Sequence, residues 1–211
     1  MNLRGKFITF EGSEGCGKST HIAKLVARLQ AAGLEPLLTR EPGGTALGEE
    51  IRNLLLHHKA GGAMCAETEL LLFTAARAQI VRERIAPALA AGRVVICDRF
   101  LDSTTVYQGA ARCLSPEAVA AINGFAVGDC RPALTLVLDV PVEVGHARVR
   151  ARGDGQPDRI ERESLEFFTR VREGYLAIAR AEPGRVAVID TTRPIDEVSA
   201  AIWQTVHERL A

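Results

Sequence analysis

Gly12, Gly17, Lys18 and Ser19 stand at the spacing G-x-x-x-x-G-K-S, directly after an apolar, β-branched run and at the start of a helical pattern. That spacing makes a phosphate cradle. Glycines let the backbone turn so that the N–H groups of Ser13, Glu14, Gly15, Cys16 and Gly17 aim at phosphate oxygens, and the helix N-terminus adds partial positive charge. Lys18 reaches the β and γ phosphates, Ser19 places a hydroxyl for magnesium, and Thr20 follows in the same turn. A nucleoside triphosphate is the ligand implied. An Asn-Lys-x-Asp signature for guanine is absent: Asn2, Asn53 and Asn123 are the only asparagines, and none precedes a lysine.

Two more clusters carry charge to strand ends. Val94-Val95-Ile96-Cys97-Asp98-Arg99-Phe100 delivers an aspartate and an arginine after one apolar run, and Thr39-Arg40-Glu41-Pro42-Gly43-Gly44-Thr45 follows another. Arg40 and Arg99 fall just past their strands, on the edge that carries the cradle, where two guanidinium forks can clamp one phosphate dianion. The alternative for each is a salt bridge to a neighbouring helix.

The elements that must hold these residues alternate. Strands are predicted at Lys6–Glu11, Glu35–Thr39, Arg93–Cys97, Leu134–Val140 and Arg185–Asp190, with amphipathic helices between them, marked by Ile22, Leu25, Val26 and Leu29 or by Ile195, Val198, Ile202 and Val206. Ser115-Pro116 signals a helix start, and Gly33 and Gly92 signal left-handed stops. The class is α/β, a doubly wound five-stranded parallel sheet of the P-loop NTPase type flanked by helices, which binds ligands outside the carboxyl ends of its strands. A length of 211 residues, 47% of them hydrophobic, suits one domain over residues 1–211. Twenty-six basic residues balance twenty-six acidic ones, so no bulk field holds nucleic acid or an anionic membrane. Five cysteines with no metal-ligand spacing, no signal-peptide core and no apolar run long enough for a bilayer point to a reduced, cytoplasmic chain.

These motifs together resemble the thymidylate kinases, the bacterial ones in particular, over nearly the whole chain. The matching stretches are 10–20, 39–45, 69–79 (Glu-Leu-Leu-Leu-Phe-Thr-Ala-Ala-Arg-Ala-Gln), 98–109 (Asp-Arg-Phe-Leu-Asp-Ser-Thr-Thr-Val-Tyr-Gln-Gly) and 151–161. The resemblance implies a nucleoside monophosphate kinase architecture, the reaction of ATP with dTMP giving ADP and dTDP, magnesium as cofactor, and a homodimer. It also implies roles. Phe73 stacks on thymine and Arg77, four residues on, donates to its O4; Ser103, Thr104 and Gln108 meet the substrate's polar groups, and Tyr107 packs against the deoxyribose and leaves no room for a 2′-hydroxyl. Arg40 and Arg99 hold the acceptor phosphate. Ser19, Glu14 and Asp98 orient magnesium, partly through water. Phe100 departs from the tyrosine or histidine common at its position.

Arg148, Arg150 and Arg152 lead into Gly153-Asp154-Gly155-Gln156-Pro157-Asp158, a pattern that suits a mobile cover over about 148–160. Some members of the family carry an arginine at the third variable position of the P-loop and others supply it from the lid; Gly15 stands there in this chain, so it resembles the lid-arginine type. Arg152 is the first choice for the charge-stabilising group, then Arg148, then Arg159. The acceptor is already an anionic oxygen and needs no general base, so catalysis is positioning plus cations, with Lys18, Arg99, a lid arginine and Glu14 in the catalytic set. The rival readings are another nucleoside monophosphate or deoxynucleoside kinase, and a P-loop switch without catalysis.

Overall fold

A computed structural model describes residues 3–58, 63–152 and 158–210, with Arg152 described by its backbone alone. Five strands form one sheet: β1 (Phe7–Glu11), β2 (Leu37–Arg40), β3 (Val95–Asp98), β4 (Leu134–Asp139) and β5 (Val186–Asp190). Their order is β2-β3-β1-β4-β5, and every neighbouring pair is parallel. β1 is buried at all five positions, as a central strand covered on both faces must be. The second strand begins two residues later than predicted: Pro36 has no N–H for a ladder, and pairing starts where Leu37 meets Val95.

Helices cover both faces. α1 (Lys18–Ala31) and the C-terminal α9 (Ile195–Leu210) pack Ile22, Leu25, Leu29, Val198, Ile202 and Val206 against Ile8, Phe10, Ile96 and Leu136. The opposite layer holds α3 (Ala66–Ile80), α4 (Ala86–Ala90), α5 (Leu101–Thr104), α6 (Pro116–Val127) and α8 (Leu165–Ala181), while α2 (Ala46–Leu56) and α7 (Val142–Arg152) flank the ligand edge. Ser115 caps α6 by accepting from the Ala118 N–H at 3.3 Å, and Gly33 and Gly92 take φ of +78° and +73° as helix stops. Two π-helical stretches, Val81–Ile85 and Thr105–Ala111, were not predicted. The second closes with the Arg112 N–H donating to the Tyr107 carbonyl at 3.0 Å, and it carries Tyr107 and Gln108.

Parallel register fixes the ligand edge. Phe10 lies opposite Asp98, and Asp98 opposite Arg40, so Glu11, Asp98 and Arg40 emerge side by side beneath the loop that follows β1. Strand order reverses at β1, and the crevice there is where such sheets bind ligands.

Candidate active site

The loop between β1 and α1 is shaped by two close approaches. Gly12 has φ of +134°, and a Cβ there would lie 2.5 Å from the Leu138 carbonyl oxygen; Gly15 has φ of +73°, and its Cβ would lie 2.1 Å from the Gly145 carbonyl oxygen in α7. A side chain at position 15 is therefore excluded by backbone, which gives the missing P-loop arginine a steric cause. Lys18 folds back over the loop, its Nζ donating to the Gly12 and Ser13 carbonyls at 3.2 and 3.3 Å. Cys16 is buried beneath it. Glu14, Gly15, Gly17, Ser19 and Thr20 line the cavity in front.

Arg99 stands at the junction of this loop with the rest of the cavity. Its φ of +68° is a left-handed conformation that costs a non-glycine residue about 1–2 kcal/mol, and the surroundings hold it there. Arg99 Nη2 lies 2.5 Å from Glu14 Oε1, and Nη1 donates to the Gly12 carbonyl at 3.0 Å, to Ser103 at 3.3 Å and to Tyr175 at 3.4 Å. Behind it, the fully buried Glu11 accepts from the Phe100 N–H at 2.8 Å, Ser103 Oγ at 2.6 Å and Tyr175 Oη at 2.8 Å. Burial, then the Asp102 carboxylate, pushes Glu11 up to about 7, against the pull of Ser103, Arg99 and Tyr175. Strain at a turn that aims a charged side chain, backed by a buried carboxylate, is a pre-organised arrangement.

The loop opens into a cavity of about 680 Å³ whose walls include Phe73, Ser103, Thr104, Tyr107 and Gln108, a volume in the range of small-molecule sites. Tyr107 is edge-on to Phe167 and Tyr175, lies under the Arg99 guanidinium at 5.1 Å, and donates to Glu14 at 3.2 Å. Arg77 is placed differently from its predicted role. It is 1% exposed and lies outside the cavity wall. Nε and Nη2 face Glu41 Oε2 at 2.8 and 2.6 Å, Nη1 donates to Thr104 at 2.9 Å and Asn123 at 2.8 Å, and Nη2 donates to the Phe100 carbonyl at 2.9 Å. A guanidinium has five N–H donors, and four of them are used in these hydrogen bonds, with the Glu41 carboxylate against the Nε and Nη2 side. Burial pushes Glu41 up to about 7 even though Arg77 pulls it down, and its Oε1 has no hydrogen-bond partner among the described residues.

At the cavity's other end Arg40 pairs with Glu49 at 2.9 Å on a half-exposed rim, and Arg52, a wall residue that sequence reasoning missed, donates to the Pro42 carbonyl at 2.9 Å. Burial and the nearby Arg40 lower the Arg52 pKa. Asp98 Oδ1 is buried with no hydrogen-bond partner among the described residues. Set beside Ser19, also in the cavity wall, this orphaned oxygen is a donor set suited to a hydrated magnesium ion. Glu14 is committed to Arg99 and Tyr107.

The lid arginines divide. Arg148 reaches from α7 over the cradle, donating to the Thr191 carbonyl at 3.0 Å and the Gly15 carbonyl at 3.4 Å. Arg159 turns away, pairing with Glu69 at 2.6 Å and donating to the Leu55 carbonyl at 2.9 Å. Residues 153–157 and the Arg152 side chain lie outside the described residues. The sequence assigns no site role to Glu11, Glu41, Glu69, Asn123 or Tyr175; the signal available was charged or polar residues inside otherwise apolar runs, such as Glu11 closing Phe-Ile-Thr-Phe-Glu.

The family model described as thymidylate kinase matches residues 10–202. A curated thymidylate kinase of Pseudomonas syringae pv. tomato is 52% identical over 208 residues, spanning 99% of this chain and 98% of its own length. The thymidylate kinase of Methylococcus capsulatus is 50% identical over 98% of this chain and 97% of its own, and that of Geobacter sulfurreducens 49% identical over 98% of each.

Proposed function

The chain belongs to the thymidylate kinase family, and we propose how its cavity carries out the family's reaction. ATP-dependent phosphorylation of dTMP is that reaction, with ATP as the donor. Another monophosphate kinase or a non-catalytic switch is not favoured. The observation that carries the reading is continuity: one cavity runs from the P-loop to the Phe73 and Tyr107 pocket, with Lys18, Arg99 and Arg40 along it.

The loop from Gly12 to Thr20 holds the ATP phosphates, with Lys18 on the β and γ groups. Arg99 and Arg40 hold the dTMP phosphate, joined by Arg52, and Glu14 keeps Arg99 aimed across the junction. Phe73 stacks on the base, Tyr107 lies against the deoxyribose, and Thr104 and Gln108 meet the polar edge. Arg77 serves that edge through Thr104. Ser19 and Asp98 would hold magnesium, partly through water, and a bound ion there would supply positive charge to the phosphate oxygens. Arg148 supplies cation from the lid side, and Arg152, four positions along α7, is the second source. No general base is needed, because the acceptor oxygen is already anionic; the residues align the two oxygens and exclude water.

A cytoplasmic location accords with the free thiols of Cys16 and Cys97 in the core and with the absence, among the described residues, of a helix long and apolar enough to cross a membrane. We also propose a homodimer, because Leu71 on α3 and Phe125 on α6 leave large apolar side chains exposed, Phe125 at 83%. Coupled ADP release with ATP, magnesium and each of dTMP, dUMP, UMP, CMP, AMP and GMP tests the reading. Turnover is expected to be strongest with dTMP, weaker with dUMP and slight with the ribonucleotides. Turnover confined to a different monophosphate would overturn the pocket assignment.

A further inference from the structure

Glu69 sits on α3 with 1% exposure, and its contacts join three parts of the chain. Oε1 accepts from Gln108 Nε2 at 2.7 Å and from Arg112 Nε at 3.3 Å; Oε2 lies 3.2 Å from Arg112 Nη2 and 2.6 Å from Arg159 Nη2. A carboxylate only accepts, so the nitrogen end of the Gln108 amide must face it. Gln108 Oε1 is then the end left over. It has no protein partner among the described residues, and Gln108 lines the cavity. Burial pushes the Glu69 pKa up, but the Gln108 amide and the Arg112 and Arg159 guanidiniums outweigh it and hold the carboxyl below its ordinary range. It therefore stays an acceptor.

We infer that Glu69 is a positioning residue for pyrimidine selectivity: by fixing the Gln108 amide it presents an acceptor, Gln108 Oε1, to the N3–H of thymine or uracil and refuses the bare N3 of cytosine. This deepens the thymidylate kinase reading and rests on it. An amide without such a neighbour turns over freely and offers either end, which would accept cytosine as readily as thymine. The adjacent position is polarised in the opposite sense. Thr104 Oγ1 accepts from Arg77 Nη1 at 2.9 Å, and a guanidinium only donates, so the hydroxyl hydrogen is left to donate to a carbonyl such as O4. A donor beside an acceptor matches O4 and N3–H of thymine. Cytosine, with an amino group at C4 and no proton on N3, leaves both unpaired.

Steady-state kinetics of Glu69→Gln with dTMP, dUMP and dCMP at saturating ATP tests this. An amide at position 69 can face Gln108 with either end, so the ratio of kcat/KM for dTMP over dCMP is expected to fall about ten-fold or more, because an unpaired buried polar group no longer penalises cytosine. The change sits in the acceptor KM, and the KM for ATP stays put. An unchanged ratio with a uniform loss of kcat would mean that Glu69 only braces Arg112 and Arg159, and would overturn the inference. Gln108→Leu supplies a check that does not depend on Glu69→Gln folding: it should collapse the same ratio, and adding Glu69→Gln to it should change nothing more. A ratio that survives Gln108→Leu also overturns the inference. If the unaltered enzyme gives no dTMP-dependent turnover, the kinase reading fails first, which is a different result from an active enzyme whose selectivity ignores position 69.

Discussion

The two halves of the cavity are built from different materials. The donor half is one loop of consecutive residues whose working groups are backbone N–H groups, one lysine and one hydroxyl, shaped by glycines that meet the Leu138 and Gly145 carbonyls. The acceptor half is made of side chains from α3, α5 and the π-helical turn after it, three of them backed by buried polar groups: Glu11 behind Ser103, Arg77 with Glu41 and Asn123 behind Thr104, and Glu69 behind Gln108. A backbone cradle can be placed by local turns alone. A side-chain pocket needs a second layer, and that layer brings buried carboxylates whose protonation becomes part of the stability of the fold.

The contrast is broken most severely at Arg77. Arg77→Leu removes the cation from Glu41 and the donors from Thr104, Asn123 and the Phe100 carbonyl, and should cost about 3–5 kcal/mol of stability in urea unfolding, because a buried carboxyl loses its counter-charge and three buried acceptors lose their donor. A loss confined to activity would show that the second layer is less structural than claimed. Lys18→Ala acts in the other half and in the opposite currency. It should lower kcat by about 10²–10³ with little change in the unfolding midpoint, since the lost group stabilises transferring charge rather than the core.

Gly15→Ala tests whether the cradle depends on backbone shape. A methyl 2.1 Å from the Gly145 carbonyl, at φ +73°, should cost about 1–3 kcal/mol and weaken ATP binding, read by calorimetric titration, while leaving dTMP binding largely intact. The finest test is pH. Glu11 ionises near 7 in the folded chain and in its ordinary range when unfolded, so between those values the folded state keeps a proton that the unfolded state has released. Stability should therefore fall as pH rises from about 4.5 to 7, by up to about 1.4 kcal/mol per pH unit for one such group. Glu41 contributes a slope of the same sign. Denaturant midpoints across that range should show the decline, and Glu11→Gln should remove one carboxyl's share of it.

Legibility in the sequence follows the same division. The five strands and the loop from Gly12 to Ser19 could be read directly, because alternation of apolar runs and a contiguous glycine spacing are local signals. Arg40 and Arg99 were also legible as strand-end residues, and register confirms the shared edge by setting Arg40 opposite Asp98. The second layer was not. Glu11 looks like the last letter of a strand, Glu69 like a first-turn helix acid and Asn123 like a helix-surface amide; only tertiary packing brings Glu11 to Tyr175 across 164 positions and Arg77 to Asn123 across 46. The π-helical stretch 105–111 had no signal either, since its sequence is helical by pattern and the wider turn is set by what Tyr107 and Gln108 pack against.

The central claim is that both halves act on one phosphoryl group, and the most direct measurement follows that group. With γ-labelled ATP, magnesium and dTMP, the label should leave ATP only when dTMP is present and should appear in dTDP, with little free phosphate. Label released as inorganic phosphate at the same rate with or without dTMP would contradict the account, because it would mean that the donor half works without the acceptor half.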